Sequence, residues 1–202
     1  MRLGIVWEGV LRDERGRVID RHVKKSQSFV KNFMLLLRGI FLQSGQTAKD
    51  VNGEVREIGV GYGRPGYSIW MNYEWHLAGF RLDAPEGDDS YGIVVGYDNI
   101  TVTPDDYALY TPITHGSEDG KLYYRACNVG DVNVVGNKVS MVISREFVNY
   151  GSTVVEVGEM GLVGVCPYTN NKFLIVRDTY SSRRQIPPNK EYWLKCRVEV
   201  EV

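Results

Sequence analysis

Residues 143–164, ISREFVNYGSTVVEVGEMGLVG, alternate, turn and alternate again. Val142, Ser144, Glu146 and Val148 fall on one parity, and Ile143, Arg145, Phe147 and Asn149 on the other. Period-two alternation marks β-structure. Asn149-Tyr150-Gly151-Ser152 is a turn composition, and Val155, Val157 and Glu159 resume the pattern beyond it. The stretch therefore predicts an antiparallel strand pair, and it raises the question of whether Arg145, Glu156 and Glu159 form a site or belong to the scaffold. On a regular strand Glu156 and Glu159, three positions apart, point to opposite faces. That separates them as a glycosidase pair, which needs carboxylates about 5 Å apart. Arg145 and Glu156 are expected as a cross-strand ion pair contributing ~1 kcal/mol or less. Glu159 lies between two apolar runs, so a carboxylate buried there is expected to find backbone donors or an arginine such as Arg177.

The same texture extends outward from this stretch. In the last segment Tyr192, Leu194, Cys196, Val198, Val200 and Val202 share one parity, and Lys195, Arg197, Glu199 and Glu201 take the other, which predicts one buried and one wet face. Ile186-Pro187-Pro188-Asn189-Lys190 announces its start. Further strands are predicted over 54–60, 67–72, 91–96, 121–127, 131–135, 138–149, 153–165 and 172–178. LGIVWEGV (3–10) and RVIDRHV (17–23), flanking Asp13-Glu14-Arg15-Gly16, form an N-terminal hairpin. One amphipathic helix is expected over about 28–43, on Phe29, Val30, Phe33, Met34, Leu36, Leu37, Ile40 and Phe41, with a Ser26 or Ser28 cap and a Gly45 stop. With a single helix a doubly wound parallel sheet is excluded. The predicted fold is mainly β, an antiparallel β-sandwich of jelly-roll kind, as one domain over 1–202 with an insert of glycine, aromatic and acidic residues at about 61–90.

Composition narrows the function. A formal net charge of -1 over 202 residues disfavours general nucleic-acid or anionic-membrane binding. No segment has the ~18 apolar residues of a membrane span, and the first residues lack the apolar run of a signal peptide. The three cysteines, Cys127, Cys166 and Cys196, have no C-x-x-C pair and sit in strand-like runs, so they are expected reduced in the core, with neither disulfide nor zinc. In that setting the sequon Asn99-Ile100-Thr101 carries little weight, since glycosylation requires secretion. Gly61–Gly66 spells G-x-G-x-x-G, but Pro65 and a strand-like run follow it instead of a helix. Asp83, Glu86, Asp88 and Asp89 lack the spacing of a calcium loop and are expected to be solvated. The histidines His22, His76 and His115 fit no catalytic motif. No enzyme activity, cofactor or metal is expected. The aromatic residues Tyr62, Tyr67, Trp70, Tyr73 and Trp75, with His76, suit a subunit contact, a surface for glycan stacking or core packing.

Motif order adds a resemblance. TPDDYALYTPI (103–113), ISREFVNYGSTVVEVGEMGLVG (143–164), FLIVRDTY (173–180) and IPPNKEYWLKCRVEVEV (186–202) occur in a sequence order that resembles structural proteins of tailed bacteriophages and related virus-like particles. That pattern comprises T-x-x-D-Y-x-L, R-x-F-x-N with a glycine turn, E-x-G-L, L-x-x-R-D and a final amphipathic strand. KSQSFVKNFMLLL (25–37) and DVNGEVREI (50–58) resemble its N-terminal partner segments. The resemblance implies a virion building block of tail, baseplate or capsid, made in host cytoplasm, that assembles with itself and other virion proteins and carries no cofactor. A carbohydrate-binding receptor module using Trp70, Tyr73 and Trp75 is the alternative. Expected interface residues are Phe29, Phe33, Leu37 and Phe41 of the helix with Tyr67, Trp70, Tyr73 and Trp75. Arg145, Glu159, Arg177 and Asp178 are expected to be structural polar residues. The 61–90 insert departs from the pattern and is assigned to contact with a neighbouring subunit.

Overall fold

The structure is a computed structural model that describes residues 2–26, 28–42, 46–58, 81–166 and 169–201. The chain opens on β1 (Arg2–Arg12) and β2 (Val18–Ser26). Their turn is held by Asp13, whose carboxylate accepts the Arg15 and Arg17 amides, with Gly16 at φ 74°. Next come the helix α1 (Lys31–Leu42) and a small hairpin of β3 (Gln46–Lys49) and β4 (Val55–Ile58). The remaining strands are β5 (Gly92–Gly96), β6 (Tyr123–Tyr124), β7 (Asn128–Val129), β8 (Asn133–Val135), β9 (Lys138–Val148), β10 (Val155–Val165), β11 (Lys172–Ile186) and β12 (Glu191–Glu201).

The described fold is mainly β and antiparallel. A seven-stranded sheet has the order β2-β1-β12-β9-β6, with β7 and β8 also paired to β9, and a three-stranded sheet has the order β11-β10-β5. They face each other: Arg145 of β9 reaches the carbonyls of Tyr91 and Ile93 at β5, and His22 of β2 reaches Tyr180 of β11. This is a β-sandwich arrangement; the two strand orders do not establish jelly-roll connectivity. One apolar core fills the gap, with Trp7, Ile93, Leu122, Ile143, Phe147, Leu174, Tyr192 and Leu194 fully or almost fully buried. Each such side chain contributes about 1.5–3 kcal/mol over leaving it in water. In β12 Tyr192, Leu194 and Cys196 point into that core, and all three cysteines are buried and unpaired.

Asn149 explains the turn in the opening stretch. Its side-chain amide donates to the carbonyls of Thr153 and Ile186, both at 2.8 Å, and its Oδ1 accepts the Gly151 amide. One fully buried residue thus joins the β9–β10 turn to the β11–β12 turn.

Several boundaries differ from expectation. The helix starts at Lys31 without a serine cap; Ser26 and Ser28 bond each other instead, and Ser28–Val30 lies along β11 through Ser28 O and the Val30 amide. The 121–127 strand shrinks to two residues, whereas the 172–178 strand runs on to Ile186 past a register shift. The expected 67–72 strand, the Gly61–Gly66 loop and Gly45 fall outside the described residues.

Candidate functional site

The first buried charge centre lies where β10 and β11 meet the segment 97–113. Arg177, fully buried, donates from Nε to Glu159 Oε2 and from Nη1 to Asp106 Oδ2, both at 2.8 Å, and from Nη2 to the Ile100 carbonyl at 3.0 Å. Its guanidinium lies 4.5 Å from the Tyr110 ring centroid. Glu159, at 0% exposure, uses its other oxygen to accept the Thr111 amide at 3.0 Å. Burial nonetheless pushes the Glu159 carboxyl above its ordinary value, against the Thr111 amide and Arg177. Glycines admit the segment: a Cβ at Gly96 would sit 2.5 Å from Glu159 Oε1, and one at Gly158 would fall on the Tyr97 and Asp98 carbonyls.

The β10–β11 register shifts between Val157 and Glu159. The expectation that Glu156 and Glu159 face opposite ways fails here, because Val157 and Met160 both enter the core and regular alternation is therefore broken between them. Both carboxylates approach the 97–112 segment: Glu156 lines a cleft with Tyr97 and Thr111, and Glu159 binds Thr111 directly. Each has its own arginine, Glu156 pairing with Arg183 at 3.7 Å.

Arg145 forms the second centre and is also a correction. It makes no pair with Glu156, which belongs to the other sheet. Its five N–H donors reach the carbonyls of Arg125, Tyr91, Ile93, Pro85 and Asp88, at 2.5–3.3 Å. The guanidinium also stacks 4.7 Å from the Tyr124 ring centroid. A fork of five donors matches a loop whose carbonyls have no strand partner. Burial lowers the pKa of Arg145, the expected response of a desolvated cation.

The third centre joins β2 to β11 at the rims of the two sheets. His22 Nε2 lies 2.9 Å from Tyr180 Oη and 3.2 Å from Tyr192 Oη, and the two hydroxyls are 2.7 Å apart. Burial, helped by the positive Arg184, pushes His22 down to about 4, against the opposing pull of Asp20. Burial raises both tyrosines. One step along, Lys24 bonds the buried Asp178 carboxylate and the Thr179 carbonyl. Gly9 makes room, since a Cβ there would strike the His22 ring and Tyr192 Oη. Beside this cluster opens a cleft of about 260 Å³ lined by residues including Asp20, His22 and Arg184.

The expected interface residues divide. Phe29 and Phe33 pack together, ring centroids 4.2 Å apart, against the core, and Leu37 is half-buried. Phe41 is 78% exposed. Tyr67, Trp70, Tyr73, Trp75 and His76 lie outside the described residues. In the acidic loop Asp83 and Glu86 are exposed and paired with arginines, whereas Asp88 and Asp89 are half-buried and accept the Ser90 and His115 amides. The expectation of a wholly solvated loop fails because Arg145 draws its carbonyls inward. His115 Nδ1 accepts the Tyr124 amide.

Asp106, His22, Tyr180 and Tyr192 were missed as members of polar centres. A turn motif, Thr103 to Asp106, was the only sequence signal for Asp106, and no local pattern marks the other three. Among the described residues no cluster of His, Cys, Asp and Glu is arranged to hold a metal, and no helix is long and apolar enough to cross a membrane. No protein-family model, curated protein or solved structure matches the chain.

Proposed function

We propose that this chain is a non-enzymatic structural subunit that assembles with copies of itself, as part of a virus-like particle made in a host cytoplasm. One observation carries the assembly: among the described residues both rims of the seven-stranded sheet are open and apolar. At one rim, among the described residues, β2 pairs only with β1 and exposes Val18, Ile19 and Val23. At the other, among the described residues, β8 pairs only with β9, and Val132, Val134 and Val135 protrude, Val135 at 76% exposure. Open edges with β-branched apolar side chains are templates for a further strand. The charges favour unlike edges meeting. β2 presents the exposed Lys25 and an Arg21 that pairs with Glu8, whereas 129–137 carries Asp131 and no base. Head-to-tail pairing of β2 on one copy with β8 on the next is a heterologous contact, which builds rings or filaments. Location in a particle rests on the motif order alone.

Sedimentation of the purified chain across a concentration series tests the assembly. The expected result is a concentration-dependent oligomer that Val134→Asp with Val135→Asp reduces to monomer at unchanged melting temperature. A wild-type monomer throughout, or an oligomer indifferent to both changes, overturns it. Mass spectrometry of purified particles tests the virion assignment, and finding the chain only outside them refutes it.

A further inference from the structure

We propose that the cleft between β2 and β11 is a binding site for a single carboxylate group, received by the guanidinium of Arg184. This stands apart from the assembly reading, since it rests on the cleft beside Arg184 and not on an open strand edge.

Arg184 is the unmatched partner in its surroundings. It is half-buried, and its Nε is shielded from water with no acceptor. Among the described residues its side chain has no carboxylate within 4.0 Å and no hydrogen bond; its guanidinium lies 5.3 Å from the Tyr180 ring centroid. The adjacent Arg183, by contrast, donates to the Tyr97 carbonyl and pairs with Glu156. A shielded donor without an acceptor is costly, and a planar guanidinium is matched best by the two oxygens of a carboxylate.

The other walls do not supply that acceptor. His22 and Tyr192 are committed to each other and to Tyr180. Leu11 contributes an apolar wall. Asp20, on the β2 side, limits the charge that can enter, so a monoanion fits better than a dianion. Gln185 adds an amide at the rim. About 260 Å³ holds a small organic acid or one acidic side chain from a neighbouring chain.

His22 reports on the site. It faces Asp20 on its own strand, Arg184 and Tyr180 on β11, and Tyr192 on β12, with the Lys24–Asp178 pair one step further along. A bound carboxylate offsets Arg184 and must therefore raise the pKa of His22.

The test is an NMR titration of the histidine ring signals with sodium acetate at constant ionic strength; the chain has three histidines to assign. The His22 signals are expected to move along a saturating curve with a Kd of about 1–10 mM, its pKa to rise, and His115 to stay still. Phosphate should bind at least threefold more weakly near neutral pH, where its second charge meets Asp20. Arg184→Gln should abolish the effect without lowering the melting temperature. If that variant does not fold, Arg184→Lys keeps the charge without the fork and should weaken acetate about threefold or more. A blocked Gly-Glu-Gly peptide distinguishes the source: tighter binding than acetate indicates a protein side chain, weaker binding a free small acid. No saturation up to roughly 0.2 M acetate, phosphate binding more tightly, or an undiminished response in the arginine variant overturns the proposal.

Discussion

Replacing Arg177 by methionine tests whether the Glu159–Arg177–Asp106 centre holds the 97–113 segment. The change keeps much of the side-chain volume but removes the donors to Glu159 Oε2, Asp106 Oδ2 and the Ile100 carbonyl. Two carboxylates, at 0% and 8% exposure, then lack their cation. Removing one partner of a buried pair costs about 3–5 kcal/mol because the remaining charge is uncompensated. For a chain of this length that lowers the melting temperature by roughly 6–20 °C. Urea unfolding followed by tryptophan fluorescence measures the free energy. Hydrogen exchange at the Thr111 and Tyr97 amides, which bond Glu159 and the Thr111 carbonyl, measures release of the segment.

The pH dependence gives an independent check on the cause. Burial already raises Glu159, and loss of Arg177 raises it further. An acid whose folded pKa exceeds its unfolded value destabilises the fold when ionised, and that cost disappears as pH falls towards the ordinary value of 4.5. The deficit of Arg177→Met is therefore larger at pH 7 than at pH 5, and Glu159→Gln added to it recovers part of the loss. A deficit below about 1 kcal/mol at pH 7, or one that does not narrow with acid, refutes the account.

Gly158→Ala drives a methyl onto the Tyr97 and Asp98 carbonyls and is expected to cost about 3 kcal/mol or more in urea unfolding. Arg145→Lys replaces five forked donors by three on one nitrogen, and a loss of about 2–4 kcal/mol should appear with faster exchange at the amides of 86–91. For His22, held down at about 4 against 6.5, the stabilisation is fully present above 6.5 and is lost as pH falls towards 4. The ring is half-buried, so the loss is about 1–2 kcal/mol after allowing for solvent screening; His22→Gln should flatten that slope in urea midpoints between pH 7 and 4.5.

What was legible in the sequence follows the range of the forces involved. β9, β10 and β12 appear within two residues of their expected bounds, because alternation and turn composition are local. Glu159 was legible as a polar residue between apolar runs. Its node was not, since Asp106 meets Arg177 across 71 positions and nothing local records that distance. The bulge at Val157–Glu159 was likewise hidden, and the faces of Glu156 and Glu159 were misread with it. β2 shows the same effect on a whole face: Ile19 and Val23 are exposed, because Asp20, His22 and Lys24 pair with Leu11, Gly9 and Trp7 and so turn inward. They are drawn by the polar edge of β11, where Asp178 and Tyr180 await them.

That reversal links the interior to the rims. Residues 81–91 and 97–122 contain almost no strand, so their backbone groups need partners other than a ladder. Arg145, Arg177, Glu159, Tyr124 and His115 supply such partners, and thereby fix the loops as firmly as strands would. At the β2 rim the same strategy spends the inward positions on polar contacts, which forces Ile19 and Val23 outward. Apolar exposure there is thus a consequence of how the two sheets are joined, and among the described residues nothing covers it. Pairing that edge with another strand covers it and leaves those contacts intact, which is why the rim, more than the helix, is the surface on which the assembly reading depends.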